Sequence, residues 1–257
     1  MKKWHKLCCV WGSQVLGLFL VSVLCVGQPS ISQLKNTAQR YYWGRDGNRD
    51  FAKALSLYLE AARLGDAEAQ FIAGGMYFRG RGTERNPKEA FRLLYQAALN
   101  GKSSPESQKI LAQSFIVGQT VPKNYPEAVR WYKQSAKNGD KDAQNELGFL
   151  YFVGHGVPQD PAKAFEYFSQ AANSGLAIAQ YNLGIMWYTG NGVDQVDLPM
   201  SYVWLNMAAS NGYQDAEAAR SFLETVLTSE ELARAQKISG DLFRQIELKQ
   251  AGKPIGN

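Results

Sequence analysis

One histidine, His155, remains in this 257-residue chain once the first 27 residues are set aside, and it stands between Gly154 and Gly156. A metal site or a serine triad needs a histidine with convergent partners. A lone imidazole in a glycine turn has none, and its plain reading is a solvated loop residue. Carboxylates are plentiful, but they read as structural. Asp50, Asp160 and Asp197 stand where helices should begin, and Glu89, Glu127 and Glu166 fall on exposed helix faces. Two carboxylates meeting in a groove would suit acid–base work, yet no spacing singles out such a pair. Gly80–Arg81–Gly82 and Gly190–Asn191–Gly192 look like pieces of phosphate loops. They lack the Gly-x-Gly-x-x-Gly spacing and the Lys-Ser/Thr ending that phosphate cradles need. Cys8, Cys9 and Cys25 all lie within the first 27 residues, so a chain cut there has no disulfide and no thiolate metal site. The expectation is no catalytic residue, no metal ligand, no cofactor and no small-molecule substrate.

The aromatic residues are the other candidates for a site, and their spacing leads to the elements that hold them. Leu34, Gln70, Gln108, Gln144 and Gln180 mark a repeat with gaps of 36, 38, 36 and 36 residues. Four residues after each mark stands a small residue: Ala38, Gly74, Ala112, Gly148, Gly184. Seven after stands a large aromatic: Tyr41, Tyr77, Phe115, Tyr151, Trp187; ten after stands Gly44, Gly80, Gly118, Gly154 or Gly190. Sixteen after comes a capping type, Asp50, Asn86, Asn124 or Asp160, whose oxygen can accept the orphan N–H groups of a new helix. Pro87 and Pro161 follow at the first helical position. Gly65, Gly101, Gly139 and Gly175 close the unit at a left-handed helix end. The fifth unit runs one residue longer, with Asp197 and Gly212 in these roles. Apolar spacing is helical in both halves and period-two alternation is missing. Each unit is too short to close its own core, as in stacked repeat proteins.

The segment 143–157, AQNELGFLYFVGHGV, with Asp160, Lys163, Ala164, Tyr167, Ala171, Ala172 and Gly175 after it, resembles the signature of Sel1-like repeats, relatives of the tetratricopeptide class. The segments 179–212 and 69–101 match nearly as well. The unit from Gln108 departs, with Thr120 where a second turn glycine is usual, and in the unit from Leu34 the pair Asp46–Gly47 replaces that turn. The expected fold is all-α: a superhelical solenoid of about five antiparallel helix pairs at roughly 33–65, 69–101, 107–139, 143–175 and 179–212. Helices at 213–250 should cap it, with Ala219, Phe222, Leu223, Val226, Leu232, Ala235, Ile238, Leu242, Phe243 and Ile246 as their apolar residues, and 251–257 is a tail. Solenoids need such a cap over their last apolar face.

In tetratricopeptide-like superhelices the first helix of each pair lines the inner face. One, five and eight residues after the marks, that face should carry Phe71, Phe78, Ile116, Phe149, Phe152, Tyr181, Ile185 and Tyr188, a groove for a partner helix or extended peptide. The competing reading packs the plus-eight members against the next unit. Gly74, Tyr77, Gly148, Tyr151, Gly184 and Trp187 are structural repeat positions. The resemblance implies an adaptor that binds a protein or peptide, in the cell envelope or at a host surface. Its rivals are a cell-envelope enzyme acting on β-lactams or cell wall, and a regulator of a cell-wall hydrolase.

The first 27 residues read as a secretory signal peptide: Lys2, Lys3 and Lys6, then an apolar run from Val15 to Val26, then Gly27. The run falls short of the ~20 residues a membrane span needs. An uncleaved anchor would have to reach back to Leu7 through Gly12, Ser13 and Gln14. The chain is thus expected to be exported, periplasmic or secreted, touching membrane only through an uncleaved leader. The leader's lysines supply three of the formal +5 charge, and the remaining +2 shows no basic stripe, so no nucleic-acid partner is expected.

Overall fold

The computed structural model describes residues 29–45 and 47–252; the leader at 1–27 lies outside them. Among the described residues there are twelve helices and no strand. Five units each contribute a first and a second helix: α1 (Ile31–Trp43) and α2 (Phe51–Arg63); α3 (Ala67–Arg79) and α4 (Pro87–Leu99); α5 (Pro105–Val117) and α6 (Tyr125–Lys137); α7 (Lys141–Val153) and α8 (Pro161–Asn173); α9 (Ala177–Thr189) and α10 (Leu198–Ser210). Then come α11 (Gln214–Val226) and α12 (Ser229–Gln250). Within each of the five units the two helices pack on each other, and the second helix packs on the first helix that follows, which makes an α-solenoid.

The boundaries follow from capping chemistry. Asp50, Asn86, Asn124, Asp160 and Asp197 each accept a backbone N–H from the third residue of the second helix they start. Each first helix ends on a left-handed glycine, Gly44, Gly80, Gly118, Gly154 or Gly190, with φ between 66° and 75°. One backbone bond then closes every turn: the N–H of the capping residue donates to the carbonyl of the plus-seven aromatic, Tyr41, Tyr77, Phe115, Tyr151 or Trp187.

The small plus-four residue sets how closely the two helices of a pair approach. A Cβ on Gly148 would lie 2.7 Å from the Phe168 ring, and on Gly74 or Gly184 2.8 Å from Leu94 or Leu205. The alanines in the other two units, Ala38 and Ala112, are wholly buried. Between units, two devices recur. The side-chain amides of Gln70, Gln144 and Gln180 donate to the carbonyls of Ala62, Ala136 and Ala172 at the end of the preceding second helix. The second turn glycines, Gly82, Gly156 and Gly192, lie against the main chain that opens the preceding second helix. A Cβ there would sit 2.3 Å from the Phe51 carbonyl oxygen, 2.5 Å from the Tyr125 carbonyl carbon and 2.2 Å from the Pro161 carbonyl oxygen.

At the C-terminal end α12 starts on Thr228 with a capping box to Glu231 and packs along α10. Asn206 bonds Ser239 at 2.9 Å, and Gln250 reaches the Ser174 carbonyl at 3.0 Å. Because α12 lies on α10, α11 continues the stack as an unpaired first helix. Ala216 and Leu223 are buried, while Phe222 and Val226 stay about half exposed and Ile238 somewhat less so.

Candidate functional site

The first helices place the expected groove residues in two groups. Phe149 and Tyr188 are exposed, at 50 % and 42 %. Tyr181 is partly buried and its ring lies 4.9 Å from that of Tyr213. Ile185 and Phe152 pack partly into the core of the last units, and Ile116 into that of the middle ones. Phe71 sits in a recess with Tyr42, Ile72 and Ile110. Phe78 faces Ile110, Ser114 and Val117 of the next first helix, with the Arg85 guanidinium 5.6 Å from its ring centre. Phe78, Ile116 and Phe152 are thus partly buried, and Tyr188 is exposed.

Two further residues join the exposed set. Counted from Ala216, the counterpart of Ala179, Phe222 on α11 takes the position of Phe149 and Ile185, and Val226 that of Val117 and Val153. The Phe222 ring meets Tyr188 edge-on, with centroids 6.4 Å apart. The signal was the alanine register continuing past Gly212; α11 hides it by lacking the turn glycines of the units before it. Phe149, Tyr188 and Phe222 thus stand on three successive first helices.

The N-terminal part of this face is charged instead. Lys35 bridges to Asp66 (3.2 Å) and Glu68 (2.5 Å), Arg79 to Glu106 (2.6 Å), and Lys109 to Asp140 (3.3 Å) and Asp142 (2.6 Å). Each pair ties one first helix to the start of the next. The hydrogen bond that it donates to Glu68 is the main reason the Lys35 ammonium titrates above its usual value. Burial would lower Lys109, but Asp142 and Asp140 outweigh it and raise it. Further along, the ion pairs give way to an Asn182–Asn145 bond of 3.1 Å and to the Tyr181–Tyr213 contact.

Among the described residues Glu146 is the one carboxylate pushed up, by burial first and by Asp142 second, with Lys109 opposing. His155 is an exposed turn residue whose ring leans on Tyr125 at 4.8 Å. Among the described residues no His, Cys, Asp and Glu cluster to hold a metal. The even spread of basic residues read from the sequence needs one amendment. Arg49 and Arg81 flank the Phe51 ring at 5.8 and 6.0 Å, and Arg81 also donates to the Tyr42 hydroxyl. The fold thus gathers arginines at the turns of the first two units.

Five consecutive segments, 35–66, 67–102, 105–140, 141–176 and 177–213, match the Sel1 repeat model. The chain belongs to the Sel1 repeat family. A crystal structure of c5321, a protective antigen of uropathogenic Escherichia coli, superposes with a TM-score of 0.65 at 26 % identity over 86 % of this chain and 46 % of that one. A Sel1 repeat protein from Oxalobacter formigenes gives 0.58 at 27 % identity, over 82 % of this chain and 87 % of that one. The F-box protein At1g70590 of Arabidopsis thaliana is 36 % identical over 110 residues, 42 % of this chain. This chain spans only 29 % of that relative's length. Sel1 repeats generally serve as protein-interaction scaffolds. None of the described helices is long and apolar enough to cross a membrane.

Proposed function

We propose that this Sel1 repeat protein is a non-catalytic docking scaffold, exported by its leader to the periplasm or beyond the cell. It holds a helix or extended segment of a protein partner on the face of its first helices. The observation that carries this reading is the exposed row Phe149, Tyr188 and Phe222, with Ile185 and Val226 beside it. Aromatic anchors of this kind dominate the energy of protein interfaces, and a row of them on helices matches helix-in-groove recognition.

The test is photocrosslinking in the native cell. A photoreactive phenylalanine at Phe149 or Tyr188 should form an adduct with a discrete partner, and one at Arg130 on a second helix should not. Phe149→Ser should weaken capture about tenfold or more and leave the melting temperature nearly unchanged. Equal adducts at all three sites, or undiminished capture by Phe149→Ser, would sink the docking face. Tyr181→Ser and Ile185→Ser should lose both capture and some stability, because Tyr181 packs on Tyr213 and Ile185 reaches the core. Export has its own check. Mass spectrometry of the processed protein should find an amino terminus near Gln28; a retained Met1 in the membrane fraction would favour an anchor.

A further inference from the structure

Three of the joints between successive units carry both the glutamine bond and the glycine contact: first to second, third to fourth, and fourth to fifth. The joint between the second and third units has neither. Gln108 holds the glutamine position, but its amide donates to Ser103 Oγ at 3.0 Å in its own loop, and its Oε1 is buried without a partner. Thr120 stands where the other units have Gly82, Gly156 and Gly192. Its Cβ rules out the main-chain approach those glycines make.

The sequence shows the cause. The connection from α4 to α5 is residues 100–104, five residues, whereas 64–66, 138–140 and 174–176 connect the other units with three. This shifts α5 away from α4, and the pair forms the thinnest of the joints between units. The buried clusters divide inside α4, ahead of this connection: Leu93 belongs with the first two units and Leu94 with the third and fourth, and the Phe91 and Tyr95 rings still meet Phe115 across the joint. Two recesses open here, sharing Ile110. One of about 210 Å³ is lined by Phe71, Met76 and Leu94; one of about 170 Å³ is lined by Phe78, Pro87 and Thr120. The Arg79–Glu106 pair links first helix to first helix across this joint, and both side chains are solvent-exposed. Exposed pairs of this kind hold weakly and are screened by salt.

We infer that the joint between the second and third units is a hinge. Residues 29–99 and 105–250 move as two bodies about the connection at 100–104, with Arg79–Glu106 as a salt-sensitive latch. The motion is of the domain-hinge kind, in which a few connecting residues absorb the change. It falls inside the ion-paired part of the first-helix face, with the Lys35 bridges on one side and the Lys109 bridges on the other, so it governs how the first two units align with the rest of that face. The hinge does not depend on the docking reading.

Paired spin labels test it in the full chain carrying Cys8→Ser, Cys9→Ser and Cys25→Ser. Labels at Arg63→Cys and Lys137→Cys span the hinge; labels at Lys137→Cys and Ser210→Cys span two ordinary joints, and all three positions are exposed. The distance distribution of the first pair should be about twice as wide as that of the second. It should broaden further with Arg79→Ala or in high salt. Deleting Lys102 and Ser103 together with Thr120→Gly restores the usual joint and should narrow it to the control. Equal widths for the two pairs, in both the parent and the Arg79→Ala chain, overturn the hinge. That comparison stands even if the deletion variant fails to fold.

Discussion

At the residue scale, two positions make opposite predictions. Gly148 has no room for a side chain, because the Phe168 ring occupies the place of its Cβ. Gly148→Leu should cost about 1–3 kcal/mol by overpacking, read as a fall in melting temperature of roughly 2–4 °C per kcal/mol for a chain of this size. Glu146 is a group the protein would hold better uncharged. Its folded-state pKa is raised, by burial above all, so the folded state binds its proton more tightly than the unfolded chain does. That contribution is fully present below the unfolded value and is lost as pH rises through the folded one. Glu146→Gln should therefore raise the melting temperature at pH 7, with the gain shrinking toward zero below the ordinary glutamate range. A gain that is independent of pH would show that the side chain's shape, not its charge, is responsible. The glycine role was legible in the sequence, because Gly148 recurs as Gly74 and Gly184. The Glu146 shift was not, because it depends above all on how deeply the packed helices bury that side chain.

At the element scale, the glutamine bonds show how one residue type stabilises a joint. Gln180 is fully buried, donates to Ala172 at 3.2 Å and accepts from Asn211 at 2.9 Å. Gln180→Ala removes both bonds, each worth about 0.5–1.5 kcal/mol. Gln108→Ala removes only a local bond to Ser103 and an oxygen already unpaired, so it should cost clearly less. Chemical denaturation of the two variants side by side checks the difference; equal losses would mean that the third unit is held as firmly as the others. Helix identity and capping were readable, since Asp, Asn, Pro and Gly have strong local preferences. The exposed side of α11 was not readable. Whether Phe222 is covered depends on where α12 lands, and a helical pattern alone cannot say which neighbour it faces.

At the scale of the whole molecule, repeats couple chiefly to their nearest neighbours, so damage should stay local. Hydrogen exchange on Gly148→Leu should show faster exchange first in α7, α8 and α9, with α1 to α3 nearly unchanged. Uniform loss of protection along the chain would instead mean that the units fold as one. The periodic sequence made the solenoid legible, because five units obey one rule. The break between the second and third units was visible only as a spacing of 38 against 36 and a threonine in a glycine position. Its meaning required the bonds that every other joint makes.

The fifth unit carries one residue more in its turn than the fourth, yet the Asp197 N–H still meets the Trp187 carbonyl, at 3.1 Å, as Asp160 meets Tyr151 at 2.9 Å. The closing bond tolerates a change of length between its ends, so the turn is where this architecture accepts novelty. A short peptide tag grafted between Asp194 and Gln195, beyond the Gly192 contact, should leave both flanking helices in place. In evolutionary terms, insertions accumulating at these turns would let members of the lineage diverge in what they display while inheriting the same stack.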